Sequence, residues 1–342
     1  MGKGRALGVV ALAVASLVGL AGCTTTGDKR QAGEAIAPPK IYANMPIDKA
    51  LQAGINFGGD TLTEVKRLIW RRKDEAKAAP LLKKALQSYM LDYKHNQLIN
   101  AGSLYGAVVD HAAVDLFQSL IASSRPLARQ LGWQLAAVKP APELARAIDH
   151  ELSRALAESD MDSVLIPQVA NAVRANHMTG SYTLMRQGLM TKGDEEFVLA
   201  MIELDPERAS NDFLAYLALA PAEELRQLTL ASVNTASCVA ILRHMRQVPP
   251  TIAKAGFDHL FLFAVSRNTA LAELAEAVLE TYVPSHTDIL AQLLARHPAW
   301  VQMAYLDNVE RHMDPKVGLL LNELKKTTAE QDVVQEIEEA KM

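Results

Sequence analysis

From Pro46 almost to the end of the chain, apolar residues recur at intervals of three and four. Leu62, Val65 and Ile69 share one side of a helix, and Leu81, Leu82, Ala85 and Leu86 repeat the pattern. At about 100° per residue, positions three or four apart return to the same face. No stretch alternates apolar and polar residues with the period of two that a half-buried strand requires. The pattern predicts an all-α body over residues 46–326.

Prolines punctuate that body. They fall in Asp205-Pro206-Glu207, Ala220-Pro221-Ala222-Glu223-Glu224, Val283-Pro284-Ser285, His297-Pro298-Ala299 and Asp314-Pro315-Lys316. A first helical turn tolerates proline because the N–H it lacks would be unpaired there, and acids just after it suit the positive end of the helix. Each proline therefore marks a helix start. The intervals 206–221, 284–298 and 298–315 leave room for short antiparallel helices of about three turns.

A faint internal repeat runs through these helices. Phe197-Val198-Leu199-Ala200 leads to Pro206-Glu207, and Phe213-Leu214-Ala215-Tyr216 leads to Pro221 and Glu223. Upstream, Val109-Asp110-His111 and Ile148-Asp149-His150 are expected at similar places in two helices 39 residues apart, close to the period of HEAT-type helix pairs. The body resembles HEAT or related helical repeats, which implies an α-solenoid of short antiparallel helix pairs. It lacks the Trp, Gly and Pro pattern of tetratricopeptide repeats. A compact, non-repeating helical domain is the alternative. Beyond the array, residues 327–342 are rich in acid; Val333, Val334 and Ile337 would make one last amphipathic helix, or the segment is a frayed tail.

The N-terminus has a different character. Lys3 and Arg5 precede an uncharged apolar run from Ala6 to Leu20, followed by Ala21, Gly22 and Cys23. That is the layout of a secretory signal, too short for a comfortable membrane span of about 20 residues. Leu20-Ala21-Gly22-Cys23 resembles the lipobox of bacterial lipoproteins. The resemblance implies cleavage after residue 22 and acylation of Cys23; an ordinary cleaved signal peptide is the other reading. Thr24, rather than Asp, follows the cysteine, which by the same resemblance implies export to the outer membrane, facing the periplasm, rather than retention in the inner membrane. Residues 23–45 have no apolar period and are expected to form the lipidated end and a flexible tether. About 20 residues of such coil reach roughly 25 Å.

Charge and composition narrow the function classes. Removing residues 1–22 takes away only Lys3 and Arg5, which moves the formal charge from −4 to −6. An acidic chain is a poor general nucleic-acid binder, so no nucleic-acid partner is expected. Of the two cysteines, Cys23 would be blocked by lipid. Cys238, in Ala236-Ser237-Cys238-Val239-Ala240-Ile241, is then expected as a buried small residue on an apolar face, without a disulfide partner. Within this acidic chain one segment reverses sign: Lys66, Arg67, Arg71, Arg72, Lys73, Lys77, Lys83 and Lys84, set against Glu64, Asp74 and Glu75. It reads either as a solvated helix face or as a contact for an anionic surface. With Leu62, Val65 and Ile69 turned inward, Lys66, Arg67, Arg71 and Lys73 are expected to point outward.

Catalytic motifs do not emerge. His150-Glu151 would need a second histidine at 154, where Arg154 stands, so a zinc-protease pair is ruled out. The pairs Asp110-His111, Asp149-His150 and Asp258-His259 are adjacent in sequence, and helical neighbours point about 100° apart. They read as solvated or capping groups; no metal or cofactor site is expected. Gly102-Ser103-Leu104-Tyr105-Gly106 misses the nucleophile elbow, because Leu104 is central and no strand precedes it. Glu158-Ser159 with Gly188-Leu189-Met190 is superficially similar to lytic transglycosylases, but the spacing is too long and Thr191 replaces their Gln. No catalytic residue is nominated. The expectation is a lipid-anchored periplasmic adaptor or assembly factor for an envelope protein complex. A peptidoglycan-acting enzyme or its regulator, and a carrier of apolar ligands, are the alternatives.

Overall fold

The computed structural model describes residues 39–92, 94–157, 165–227, 230–310 and 315–339. All regular structure among them is helical, with nineteen α-helices, a 3-10 turn at Thr179–Ser181 and no strand. No described helix is long and apolar enough to cross a membrane. After Ser181 the chain divides into two compact units.

The first unit comprises α1 (Ile47–Phe57), α2 (Gly59–Arg72), α3 (Glu75–Leu91), α4 (His95–Val108), α5 (Val114–Ile121), α6 (Pro126–Val138), α7 (Leu144–Ala157) and α8 (Ile166–Ala175). Pro46 stands just ahead of the first helical residue, where the apolar period begins. Helices pack on their chain neighbours, α1 on α2, α3 on α4 and α5 on α6, and on helices one further along, α6 on α8 and α4 on α6, with α4 also against α1. Whereas α6 is buried all round from Leu131 to Ala136, the outer helices bury one stripe. In α2 it is Thr61, Val65, Leu68 and Ile69; in α3 it is Ala78, Leu82 and Leu86. Leu81 lies outside the stripe its spacing suggested and is 41% exposed, because it sits about 100° round from Leu82. Where α5 meets α6, the Phe117 ring stands edge-on to Trp133 with centroids 5.2 Å apart, a geometry favoured by the ring quadrupoles.

The expected equivalence of Val109-Asp110-His111 and Ile148-Asp149-His150 does not hold. Asp149 and His150 lie within α7, whereas α4 has already ended at Val109, whose backbone is extended. From there the chain crosses to Lys139, whose carbonyl accepts from the Ala112 N–H at 3.0 Å. Apolar spacing alone does not reveal that crossing, so the 39-residue period joins a connection to a helix interior.

The second unit comprises α9 (Tyr182–Lys192), α10 (Glu195–Leu204), α11 (Pro206–Leu217), α12 (Ala222–Leu225), α13 (Thr235–Met245), α14 (His259–Ala264), α15 (Thr269–Leu279), α16 (Val283–Leu294), α17 (Ala299–Glu310), α18 (Pro315–Thr327) and α19 (Gln331–Glu339). Its prolines mark helix starts as expected. Pro206 and Pro315 open α11 and α18, Pro284 is the second residue of α16, and Pro221 and Pro298 directly precede α12 and α17. The Asp205 carboxylate adds a cap by accepting from the Arg208 N–H at 3.1 Å. This satisfies one of the donors that the first helical turn leaves unpaired. Pro221 opens only a single turn, however.

Phe197 and Phe213, the marks of the faint repeat, are both buried, on the contacting helices α10 and α11. A close approach fixes the pairing of α9 and α10: a Cβ at Gly188 would lie 2.6 Å from Cε1 and Cζ of Phe197. Further along, α16 packs on α18, while Phe257 and Phe261 stand edge-on to Tyr282 and Tyr305. The acidic end resolves in favour of a helix. In α19, Val333 and Ile337 are buried, the helix rests on α17 and α18, and Lys325 Nζ donates to Glu338 Oε1 at 2.5 Å.

Candidate functional site

The eight basic residues of the sign-reversed segment lie on α2, α3 and the link between them, and they fall into two groups. Four are engaged. Lys66 is half-buried, and its Nζ donates to Ser103 Oγ of α4 at 2.9 Å; burial holds its pKa below the ordinary lysine value. This corrects the expectation that it points outward: its direction, about 100° from Val65, falls where α4 covers the flank of α2. Arg72 Nη1 donates to the Met45 carbonyl at 2.6 Å, and its Nε lies 2.8 Å from Oδ2 of buried Asp74. Lys77 Nζ donates to the other Asp74 oxygen at 3.2 Å. Lys83 pairs with Asp115 of α5 at 2.5 Å, and that hydrogen bond holds the Asp115 carboxyl below its ordinary range.

The side chains of the other four, Arg67, Arg71, Lys73 and Lys84, are exposed and make neither an ion pair nor a hydrogen bond among the described residues. Lys73 ends α2 in the left-handed conformation with φ 54°, and its N–H returns to the Ile69 and Trp70 carbonyls. Trp70, which belongs to none of the sequence motifs, stands between Arg67 and Arg71 and is 76% exposed. Its direction was available: about 140° round the helix from Val65, it cannot share the buried face.

Polar groups of the other motifs singled out in the sequence are engaged locally, although buried His259 Nδ1 makes no hydrogen bond among the described residues. His111 Nδ1 lies 2.7 Å from the Pro140 carbonyl, and Asp149 accepts from Ser181 Oγ at 2.5 Å. His150 lies beside Glu151, and His259 lies 3.6 Å from Asp258. Ser103, in the elbow-like segment, accepts from Lys66; a Cβ at its neighbour Gly102 would meet Leu131 Cδ1 at 2.5 Å. Gly188 and Leu189 are buried packing residues of α9, while Glu158-Ser159 lies outside the described residues. Among the described residues, no three His, Cys, Asp or Glu side chains converge as metal ligands. Cys238 is fully buried in α13, and burial pushes its thiol up to about 12. Cys23 also lies outside the described residues.

Compared with known protein families, curated proteins and solved structures, the chain shows no significant match to any of them.

Proposed function

We propose that this chain is a lipid-anchored adaptor or assembly factor of the bacterial cell envelope, held by an acylated Cys23 at the periplasmic face of the outer membrane. Its body is an α-solenoid that offers helical surfaces to an envelope protein partner. The observation that carries this reading is a lipobox-like Leu20-Ala21-Gly22-Cys23 ahead of a body made of consecutive short helices. Packing of helices on their chain neighbours supports the solenoid, because such arrays build extended surfaces from nearest-neighbour contacts. Several acyl chains, each methylene contributing about 0.8 kcal/mol when buried, hold firmly where one would not.

Fractionation combined with affinity capture tests the proposal. The wild-type chain should sediment with outer membranes, and detergent extraction should retain a defined envelope protein in constant proportion. Cys23→Ala should release the chain from the membrane. Membrane association that survives Cys23→Ala, or extraction without any partner in constant proportion, would count against the reading. Hydrogen exchange tests the solenoid separately: terminal helix pairs should open before central ones.

A further inference from the structure

The three tryptophans have unequal surroundings. Trp133 is buried against Phe117, and the Arg226 guanidinium covers the Trp300 ring at 4.0 Å. Trp70 has no such cover, although it is a large apolar side chain at the surface of a single helix. Arg67 and Arg71 lie three residues before it and one after it on the same outward side, and Lys73 follows at the helix end. On the outward side of α3, the unpaired Lys84 is followed two turns later by Leu91, which is 84% exposed. An exposed indole among unpaired cations is the composition of a helix seated at a lipid headgroup interface, where the ring stays half in apolar surroundings and the cations meet phosphates. Asp60 and Glu64 are exposed nearer the start of α2, which confines such a contact to its C-terminal end.

A second observation places this end beside the anchor. Arg72 Nη1 binds the Met45 carbonyl, so the chain enters the fold at the last turn of α2, the turn that also carries Trp70 and Arg71. About 20 residues of tether with a root-mean-square reach of roughly 25 Å keep that turn close to the headgroups. Cations there are attracted within a Debye length of about 8 Å at physiological salt.

We infer that Trp70, with Arg67, Arg71 and Lys73, docks the first unit onto anionic phospholipid headgroups and so sets how the anchored body stands on the membrane. The inference rests on the lipid-anchor reading for its geometry. Docking uses surface side chains only, so substitutions there leave the core intact.

The test uses the full chain on vesicles of phosphatidylcholine, with or without phosphatidylglycerol, and with acyl chains brominated close to the headgroup to quench nearby indoles. Flotation reports attachment, and tryptophan emission reports docking. On phosphatidylglycerol-containing vesicles, emission should be quenched. Trp70→Phe should abolish the quenching while flotation persists, and each of Arg67→Gln and Arg71→Gln should lower the docked-to-undocked ratio about fivefold. Raised salt should do the same. Flotation on both vesicle types without quenching would overturn docking and leave the anchor standing; this is also the result if the patch serves an acidic protein. Quenching and flotation restricted to anionic vesicles would support docking and remove the anchor. Quenching that survives Trp70→Phe, or no flotation at all, would overturn the inference.

Discussion

Gly188 provides a test of how α9 and α10 are paired. Replacing it with alanine places a methyl group 2.6 Å from Cε1 and Cζ of the Phe197 ring. That ring is fully buried and, unlike the tip of a flexible chain, cannot swing aside. Overpacking a core by such a group destabilises by about 1–3 kcal/mol. Alanine in place of glycine within a helix contributes about 1 kcal/mol in the opposite direction, so the net loss should be small to moderate. Gly318 in α18 separates the two effects, because a Cβ there meets nothing within 4 Å. Gly318→Ala should stabilise by up to about 1 kcal/mol, and the gap between the two variants should equal the overpacking term. At about 2–4 °C per kcal/mol for a unit of this size, thermal denaturation followed by circular dichroism resolves that gap. Hydrogen exchange across α9 and α10 locates it. If Gly188→Ala proves as stabilising as Gly318→Ala, Phe197 does not lie over Gly188 and the pairing is wrong.

Three further outcomes follow from particular contacts. The Glu195 carboxyl is held below its ordinary value of 4.5 by hydrogen bonds from His244 and then Arg243. Because the folded-state pKa is depressed, this stability is present above about pH 4.5 and is lost as pH falls through the lowered value; the deficit of Glu195→Gln in urea denaturation should therefore shrink on acidification. Cys238, with its thiol pushed up to about 12, should resist alkylation at pH 8 in the native chain and react at once in denaturant. Ile337→Ala, at a buried site in α19, should destabilise by about 2–4 kcal/mol and speed hydrogen exchange in α17 and α18 before the rest; unchanged exchange there would mean that α19 does not cap the unit.

Legibility in the sequence followed the range of the interaction. Pro206 and Pro315 announced their helices because the missing N–H acts within one turn, and the spacing of Val333 and Ile337 allowed α19 as one of two readings, because it defines a face without saying what covers it. The outward direction of Arg67 and Arg71 was legible for the same reason, and that of Trp70 should have been. Lys66 was misjudged because its partner, Ser103, is 37 residues away and only the packing of α2 on α4 brings them together. The pairing of Lys83 with Asp115 spans 32 residues and was hidden in the same way. The 39-residue repeat failed at Val109, where an extended backbone ends α4 although Val109-Asp110-His111 carries no proline or glycine and Gly106 lies inside the last helical turn.

Intact mass spectrometry of the membrane-extracted protein tests the central proposal most directly. The account predicts a chain that begins at Cys23 and carries acyl chains on that residue, with no such species from Cys23→Ala. A mature chain that starts elsewhere, or one that starts at Cys23 without acylation, would contradict it.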